Sequence, residues 1–391
     1  MNALLFPPKI LIVAYAFPPD SGGVAGASFD MAKDFVEMGW TVSVLTILCP
    51  HLNSSLVKDP CPVIRLSPEE CINKHQIAEN VITDVCPNVV IIHSWSEWMR
   101  TEVMDVCGER AIPVIIRPHG AGTNFGSYFR INIPPFFGLT QWVLSFIKFR
   151  KQVNMASKLA QIVFLANYGA VTQCYDCYVA QKKKLKNIKA IPNTFKPFNL
   201  SKKVFRENHG LNDCLLFSCL ASASSLKKQR EVVHMVKKSS IKGCIFLFII
   251  PEVNEYSQLV EKEAGDDPRF RFIYNLPRDE VKSAVAESDV VFLFSNQEQQ
   301  PLVLLEAMSC GVPWLAPNVG SISTLKGGIV LKKRNKKFFL NAIQSLQDKS
   351  LRTSLGKEGY DTWNKNYSPD VVYAQWSDLI KGILSKNIKN E

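Results

Sequence analysis

The chain has 391 residues, of which 47% are hydrophobic, and it carries a formal net charge of +11. A chain of this size can bury two cores of ordinary domain size, and its apolar content excludes an intrinsically disordered protein. Residues 1–9 are few and contain two prolines, unlike a signal peptide, and no apolar run is long enough to span a bilayer. We therefore expect a cytoplasmic protein.

The eleven cysteines are scattered along the chain, and Cys214, Cys219 and Cys244 fall inside apolar runs. Cysteines of this kind are typical of small buried side chains in a reducing compartment. Cys174 and Cys177 form a Cys-x-x-Cys pair without a second pair. We therefore expect neither zinc nor a redox centre there.

The positive charge is concentrated in residues 111–197, which contain twelve basic residues and one acidic residue. This region is either an ordinary solvated basic face or a surface for an anionic lipid or a diphosphate-linked acceptor. Within it, residues 133–151 combine bulky aromatic side chains with a cationic end, which is typical of an interfacial membrane helix and equally of a core helix. The region therefore predicts, as one of two alternatives, peripheral contact with the inner face of an anionic membrane.

The first half of the chain alternates apolar strands with helical segments. A strand at residues 9–17 precedes a helix at 25–38, and further strands are expected at 41–46, 89–92, 113–116 and 161–165. Continuous apolar runs of this kind are typical of parallel strands that are buried on both faces. The pattern predicts a doubly wound α/β domain.

A second α/β series begins after the proline-containing linker at residues 191–197. Its strands are expected at residues 214–218, 243–250, 270–274, 290–294 and 313–316, and residues 338–386 have helical periodicity. Two similar α/β halves joined by a short linker predict two domains, residues 1–196 and 197–364, with a cleft between them.

Two carboxylates, Glu298 and Glu306, lie eight residues apart across a junction from a strand to a helix. Pro301 suits the first helical position and Gly311 suits the helix C-cap. The free N–H groups at the helix start, from Leu302 onward, are suited to hold a diphosphate. Two glutamates with this spacing occur about once by chance in a chain of this composition, so the spacing alone proves nothing.

Residues 295–313 taken together resemble the Glu-x7-Glu segment of retaining glycosyltransferases of the GT-B fold, especially glycosyltransferase family 4. The resemblance extends over nearly the whole chain. It implies two Rossmann-like doubly wound domains, with an acceptor domain at residues 1–196 and a nucleotide-sugar donor domain at 197–364. It also implies that a terminal helix, at about residues 365–391, packs back on the first domain.

The N-terminal half matches two further positions of this family. Gly22 and Gly23 follow the first strand and resemble its first glycine loop, where the backbone approaches a ligand closely. A nicotinamide-binding Gly-x-Gly-x-x-Gly loop is the alternative, but no glycine stands two residues before Gly23. His119 ends a strand in a His-Gly context, as the catalytic-site histidine of the family does, whereas His93 is interpreted as structural.

The sequence departs from the family pattern at two points. After the first strand of the second half the family carries an Arg and then a Lys that hold the donor diphosphate, and here only Lys227 or Lys228 can serve. Arg230, Arg117 and a helix dipole are the candidates to replace the missing Arg. In addition, Gln299 and Gln300 precede Pro301 where Gly-Phe-Gly is common.

The resemblance implies transfer of a sugar from a nucleotide-diphosphate sugar to a glycan or lipid-linked acceptor, in surface polysaccharide or glycoconjugate synthesis. Glu298 and His119 then contact the sugar, and Glu306 holds the ribose. Lys227 or Lys228 stabilises the diphosphate together with the helix start, which consists of Gln300, Pro301, Leu302 and Val303. This layout implies neither a metal nor a cofactor.

Two other functions remain open. The missing Arg is compatible with a catalytically inactive sugar-nucleotide-binding protein of the same fold, which donor hydrolysis would distinguish from an enzyme. A sugar-nucleotide epimerase of this fold requires further acid and base residues, which the sequence does not identify. Nucleic acid is not expected as a partner, because the chain has neither a stacking-aromatic nor a helix-turn-helix signature.

Overall fold

The computed structural model describes residues 7–20, 23–48, 58–93, 98–119, 160–166, 184–196 and 204–387. The chain forms two compact units, an N-terminal unit of Met1–Pro192 with Tyr373–Glu391 and a C-terminal unit of Asn193–Val372. The first division between units falls inside the linker expected at residues 191–197. Three features discussed above lie outside the described residues: Gly22, the Cys-x-x-Cys pair and residues 133–151.

The described part of the N-terminal unit contains a parallel sheet of seven strands in the order β3-β2-β1-β4-β5-β6-β7. The central strands are buried on both faces, as their continuous apolar sequences predict. The strands are β1 (Lys9–Ala14), β2 (Thr41–Ile47), β3 (Val63–Leu66), β4 (Val89–His93), β5 (Val114–Arg117), β6 (Ala160–Phe164) and β7 (Ile188–Ala190).

In the described part of the N-terminal unit, three helices connect strands: α1 (Gly23–Glu37), α2 (Lys74–Val85) and α3 (Arg100–Glu109). The side chain of Asn73 caps α2 by accepting a hydrogen bond from the Gln76 N–H. The last described helix of the chain, α11 (Pro369–Asn387), reaches this unit at Tyr373. Its Trp376 is 2% exposed and packs edge-on against Phe35 of α1, with ring centroids 5.6 Å apart.

The described part of the C-terminal unit contains a parallel sheet of six strands in the order β10-β9-β8-β11-β12-β13. A cluster of buried phenylalanines fills its core, including Phe246, Phe248 and Phe292. The strands are β8 (Leu215–Leu220), β9 (Cys244–Ile250), β10 (Phe270–Tyr274), β11 (Val290–Phe292), β12 (Trp314–Pro317) and β13 (Gly328–Leu331).

The described helices of the C-terminal unit precede β8, lie between its strands or follow β13. They are α4 (Phe205–Asn208), α5 (Gln229–Lys237), α6 (Glu255–Ala264), α7 (Arg278–Ala286), α8 (Leu302–Ser309), α9 (Lys336–Ser345) and α10 (Lys349–Asn366). None of the described helices combines the length and the apolarity that crossing a bilayer requires.

The ends of α8 differ from the predicted ones. Pro301 is the N-cap and has an extended ψ of 119°, so the first helical residue is Leu302 and not Pro301. Cys310 is the C-cap, and Gly311 follows it with a φ of +65°. Proline suits the N-cap as well as the first helical position, because it lacks an N–H group that the first turn would leave unpaired. Glycine suits position 311, because it adopts a positive φ without strain.

Candidate functional site

In the C-terminal unit the direction of winding reverses between the neighbouring strands β8 and β11. The chain continues from β8 to β9 on one side of this point and from β11 to β12 on the other side. Open parallel sheets bind ligands at the carboxyl ends of the strands at such a switch point. The loop that leaves β8 carries Lys227, and the loop that leaves β11 carries Glu298.

Lys227 and Glu298 form an ion pair across this switch point. The Lys227 Nζ lies 2.6 Å from the Glu298 Oε1, and the side chains are 26% and 9% exposed, respectively. Cys219 lies on β8 near the pair, where burial raises the pKa of its thiol to about 12 against the opposing effect of Lys227. The thiol therefore remains neutral, and the lysine and the glutamate supply the charge of the site.

Lys228 points elsewhere, although it is the next residue. Its backbone is left-handed, with a φ of +62°, and it is the N-cap of α5. Its ammonium group pairs with Glu231, three residues along the same chain. Of the two lysines that the sequence leaves open, Lys227 is therefore the one that contacts Glu298.

The backbone of the Glu298 loop is held from both sides. Ser321 donates both its N–H and its hydroxyl to the Gln299 carbonyl oxygen, at 2.8 Å and 2.5 Å. Gly320 has a φ of +59°, and a Cβ at this position would lie 2.0 Å from the Glu298 carbonyl oxygen. On the other side, the Asn296 N–H donates to the Leu226 carbonyl oxygen at 2.7 Å. The two loops of the switch point are thus joined by backbone as well as by the ion pair.

The two glutamines of this loop have different surroundings. The Gln300 side chain is 6% exposed, and its Oε1 accepts a hydrogen bond from the Asn193 N–H at 2.7 Å. The Gln299 side chain is 7% exposed, and neither its Oε1 nor its Nε2 finds a hydrogen-bond partner in the part of the chain that the structure describes. The structure thus gives Gln300, predicted as a donor-binding residue, a structural hydrogen bond.

Helix α8 begins directly after this loop. Leu302 and Val303 form its first turn and are half-buried, and helix geometry leaves their N–H groups without an intrahelical acceptor. Glu306 is the fifth residue of α8 and is partly exposed. The N-terminus of α8, which is the positive end of its dipole, comes after β11, and Lys227 comes after β8. The arrangement is therefore suited to an anionic ligand.

The arginines that could replace the missing one have different surroundings in the structure. Arg230 is 54% exposed and pairs with Glu263 on α6. Arg117 belongs to the N-terminal unit. A further arginine, Arg334, donates from Nη1 to the Ser295 carbonyl oxygen at 3.3 Å, at the start of the Glu298 loop. Burial lowers the pKa of Arg334, and the charge of Glu231 opposes this effect.

Arg334 also lines a surface pocket of about 560 Å³ beside this loop. The pocket wall contains Phe294, two residues after β11, and residues of α5, α6 and α9. Six of its lining residues are basic: Lys228, Arg230, His234, Lys238, Arg334 and Lys336. Arg334 was not predicted from the sequence, because it follows β13, an edge strand of only four residues that was not predicted either.

In the N-terminal unit the winding reverses between β1 and β4. Gly23 begins α1 after the loop that leaves β1, and a Cβ at this position would meet no described atom within 4 Å. Tyr15 lies at the end of β1 and is 51% exposed. Its ring meets that of Trp98 edge-on, with centroids 6.4 Å apart. The edge of the sheet that the sequence assigns to a ligand therefore carries an open glycine and an exposed aromatic ring.

His119 does not stand alone. It follows β5, and its Nε2 lies 2.9 Å from the Nδ1 of His93, the last residue of the neighbouring strand β4. The rings are stacked, with centroids 5.0 Å apart and an angle of 24° between their planes. His93, which the sequence suggests is structural, is thus the direct partner of the predicted catalytic residue. The signal in the sequence is that both histidines end adjacent parallel strands.

Both histidines are kept neutral by their surroundings. Burial, then His119 and then Arg117 lower the pKa of His93 well below its usual value. Burial and then Arg117 lower the pKa of His119 to about 3. Arg117 is itself 1% exposed, donates to the Ile191 and Pro192 carbonyl oxygens, and lies 5.1 Å from the Trp376 ring. Its guanidinium group is therefore a fixed structural cation of this unit.

One group of side chains resembles a metal site. Ligand atoms of His75, Glu79 and Glu109 lie within 4.8 Å of one another on the surface of the N-terminal unit. Surface groups of this kind are common without an ion, and these residues take no part in the contacts described above. We assign no metal to them.

Comparisons with known proteins were made for the sequence and for the fold. Residues 220–349, one third of the chain, match the family model described as Glycosyl transferases group 1. A curated relative, the N-acetyl-alpha-D-glucosaminyl L-malate synthase of Bacillus anthracis, is 23% identical over 170 residues. This match covers 42% of the present chain and 45% of the relative.

Solved structures match over almost the whole chain. A glycosyltransferase from Rickettsia africae ESF-5 has a TM-score of 0.75 at 15% identity and covers 97% of this chain and 99% of its own. The Anabaena protein Alr3699/HepE in complex with UDP has a TM-score of 0.74 at 15% identity, with 96% and 100% coverage. At these identities the likeness shows the fold.

These findings define the class of the protein: it has the GT-B fold of two parallel α/β sheets. Its residues 220–349 match the model of the glycosyl transferases group 1, a family of transferase enzymes. The GT-B fold class and the resemblance to glycosyltransferases drawn from the sequence are thereby confirmed, whereas family 4 and the retaining mechanism stay predictions. Lys227, Glu298 and Glu306 all lie within the matched residues.

Proposed function

We propose that the protein is a retaining glycosyltransferase that moves a sugar from a nucleotide-diphosphate sugar to a glycan or lipid-linked acceptor. The observation that carries this proposal is the Lys227–Glu298 ion pair at the switch point of the C-terminal sheet, directly before the N-terminus of α8. This arrangement offers a cation and free N–H groups to a diphosphate and a carboxylate to a sugar.

Each residue then has a distinct task. The ammonium group of Lys227 and the α8 N-terminus, with Leu302 and Val303, stabilise the diphosphate as its bond to the anomeric carbon breaks. Glu298 keeps Lys227 in place and positions the sugar, and Glu306 holds the ribose. His119 contacts a hydroxyl group of the sugar. The acceptor hydroxyl oxygen bonds to the anomeric carbon on the face that the diphosphate leaves, and its proton passes to the departing diphosphate oxygen, so that the configuration is retained.

We propose a UDP sugar as the donor class and Arg334 as the replacement for the missing arginine. UDP is the nucleotide in the Anabaena Alr3699/HepE structure. Arg334 lines the basic pocket beside the Glu298 loop, and its contact with the Ser295 carbonyl oxygen ties it to that loop. A bidentate guanidinium group can supply the second positive charge that one lysine does not.

We propose that the acceptor binds the N-terminal unit and belongs to surface polysaccharide or glycoconjugate synthesis. Tyr15 offers an exposed aromatic face, on which sugar rings can pack. The basic residues 111–197 support peripheral contact with the inner face of an anionic membrane, where a lipid-linked acceptor would reside. Among them, the described Lys184, Lys186 and Lys189 are exposed.

A thermal-shift experiment tests the donor site. UDP, GDP, ADP, CDP and their sugars are added to the wild-type chain and to Glu306→Ala and Arg334→Ala variants. We expect UDP and a UDP sugar to raise the Tm of the wild type, since a ligand at one hundred times its Kd adds about 2.7 kcal/mol to the free energy of unfolding. Both variants should lose most of this shift, and Lys357→Ala, on the surface of α10, should keep it. No shift with any nucleotide contradicts the proposal.

Turnover tests the catalytic roles separately from binding. With the donor that the shift identifies, Glu298→Ala and His119→Ala should lose transfer by at least a hundredfold, while their Tm without ligand stays close to that of the wild type. The residual activity of such variants comes from binding alone. Wild-type turnover in either variant removes that residue from its role.

A second candidate function follows from the loop after β8. Residues 221–226 contain no cation, and Lys227 is the cation that pairs with Glu298 among the described residues. If Arg334 does not replace the family arginine, the chain binds a sugar nucleotide without transferring its sugar. Release of UDP from a bound UDP sugar, with water as the acceptor, distinguishes the two functions, because an inactive binding protein leaves the donor intact.

A further inference from the structure

The hydrogen bond between His93 and His119 has a defined direction. A neutral imidazole carries one N–H group and one acceptor nitrogen, so the 2.9 Å contact between His93 Nδ1 and His119 Nε2 needs a hydrogen on one nitrogen only. Both rings are neutral, because desolvation and the nearby Arg117 lower the pKa of each. The direction therefore depends on what the other nitrogen of His93 contacts.

The other nitrogen of His93 contacts a thioether. His93 Nε2 lies 3.3 Å from the Sδ of Met31, on α1, and the His93 side chain is 1% exposed. A thioether sulfur accepts hydrogen bonds weakly and donates none. A hydrogen on Nε2 turns this contact into a hydrogen bond, whereas a bare Nε2 would place two lone pairs against each other in a buried site. Met31 thus favours the His93 tautomer with the hydrogen on Nε2.

The tautomer of His93 determines the tautomer of His119. If His93 carries its hydrogen on Nε2, its Nδ1 is an acceptor, and the hydrogen in the 2.9 Å contact belongs to His119 Nε2. The Nδ1 of His119 then has a lone pair, and no described residue hydrogen-bonds to it. His119 is partly exposed, unlike His93.

We propose that Met31 and His93 are positioning residues that fix His119 in the Nε2–H tautomer, so that its Nδ1 accepts a hydrogen bond from a ligand hydroxyl group. The identity of this hydroxyl as part of a sugar rests on the proposed function. The opposite tautomer would present an N–H group, which suits a phosphate or carboxylate oxygen. The pair therefore selects a hydroxyl group over an anion at this position.

Nitrogen NMR of the full chain labelled with ¹⁵N-histidine reads the tautomer directly. Long-range ¹H–¹⁵N spectra of the ligand-free protein at neutral pH distinguish the protonated from the bare ring nitrogen, and His93→Gln and His119→Gln assign the signals. We expect both histidines to carry hydrogen on Nε2 and to stay neutral down to about pH 5. A hydrogen on His119 Nδ1 overturns the proposal.

The role of Met31 is tested with a matched pair of substitutions. Met31→Leu removes the sulfur and keeps the volume, and Met104→Leu makes the same change at a buried position of α3. We expect Met31→Leu to shift His119 partly toward the Nδ1–H tautomer and Met104→Leu to leave it unchanged. An unchanged His119 tautomer in Met31→Leu contradicts the role of the thioether.

A ligand experiment separates this inference from the proposed function. At UDP-glucose concentrations that raise the Tm, the His119 Nδ1 signal should move as a hydroxyl group donates to it, and UDP alone should leave it in place. A bound UDP-glucose that does not move the signal overturns the role in accepting a hydroxyl. If no nucleotide sugar binds, the proposed function fails, while the tautomer in the ligand-free protein still decides the inference on Met31 and His93.

Discussion

Four side-chain atoms in the loop that carries Glu298 are buried without a hydrogen-bond partner among the described residues: Ser295 Oγ, Asn296 Oδ1, Gln299 Oε1 and Gln299 Nε2. Buried polar atoms of this kind normally find partners, and each one left unpaired costs about 1–3 kcal/mol. Their concentration in one loop is typical of a site where binding requirements outweigh stability. Stability measurements on Gln299 can therefore show how much the loop is destabilised.

We predict that Gln299→Met stabilises the protein. The substitution keeps the approximate volume and removes both unpaired amide atoms, so the free energy of unfolding of the C-terminal unit should rise by about 1 kcal/mol. Gln300→Met is the matched control, because it removes the acceptor of the buried Asn193 N–H and should lower that free energy by about 1–3 kcal/mol. Denaturant unfolding of both variants measures the difference. Equal effects of the two substitutions would show that Gln299 is satisfied in solution.

The individual site residues were only partly predictable. The spacing and the resemblance indicated Glu298, Glu306 and His119, because these residues follow strands that the apolar pattern reveals. The choice between Lys227 and Lys228 was not predictable, since it depends on the left-handed backbone of Lys228, which turns its side chain toward Glu231. The partner of His119 was missed for a similar reason, because pairing across strands depends on register.

At the scale of elements, glycines allow α10 to approach the C-terminal sheet closely. A Cβ on Gly356 would lie 2.1 Å from the Gly311 carbonyl oxygen, in the turn after α8. A Cβ on Gly359, one turn later, would come no closer than 3.4 Å to its nearest neighbour, the Gly327 Cα. Both glycines lie on α10, but only at Gly356 is the space too small for a Cβ atom.

We predict that Gly356→Ala destabilises the C-terminal unit and that Gly359→Ala does not. The methyl group at residue 356 forces the helix and the turn after α8 apart, which costs about 1–3 kcal/mol, more than the helix propensity that alanine adds. At residue 359 the same change makes ordinary contacts and gains up to about 1 kcal/mol of propensity. Thermal and denaturant unfolding of the two variants decide between these outcomes. A neutral Gly356→Ala would mean that α10 is free to shift outward.

Most strands were predictable because central parallel strands read as continuous apolar runs, as in Cys244–Ile250. The three strands that sequence analysis missed are β3, β7 and β13, with three or four residues each. All three lie at an edge of their sheet. Because they are so short and their side chains are mostly half-buried or exposed, they lack the long buried apolar run of a central strand. Arg334 was missed together with β13.

At the scale of the whole molecule, charge is distributed unevenly between parts of the chain. The excess of basic residues within residues 111–197 equals the net charge of the entire chain, so the remaining residues are nearly neutral together. The structure removes Arg117 from any exposed patch, because its side chain is buried against Trp376. The lysines at 182–189 are the densest remaining part of this region, and Lys184, Lys186 and Lys189 are exposed where the structure describes them.

We predict that the full chain binds vesicles with anionic headgroups and that salt releases it. Each lysine near such a surface contributes about 1 kcal/mol at low ionic strength, so replacing Lys182, Lys183 and Lys184 by Gln should weaken binding by about a hundredfold. Replacing Lys349, Lys357 and Lys365, which are exposed on α10, removes the same charge and should have little effect. Flotation with vesicles of phosphatidylserine and phosphatidylcholine, at low salt and at 0.5 M salt, measures both variants. If both sets weaken binding equally, the attraction comes from net charge alone, and the lysines at 182–184 are not a membrane-binding surface.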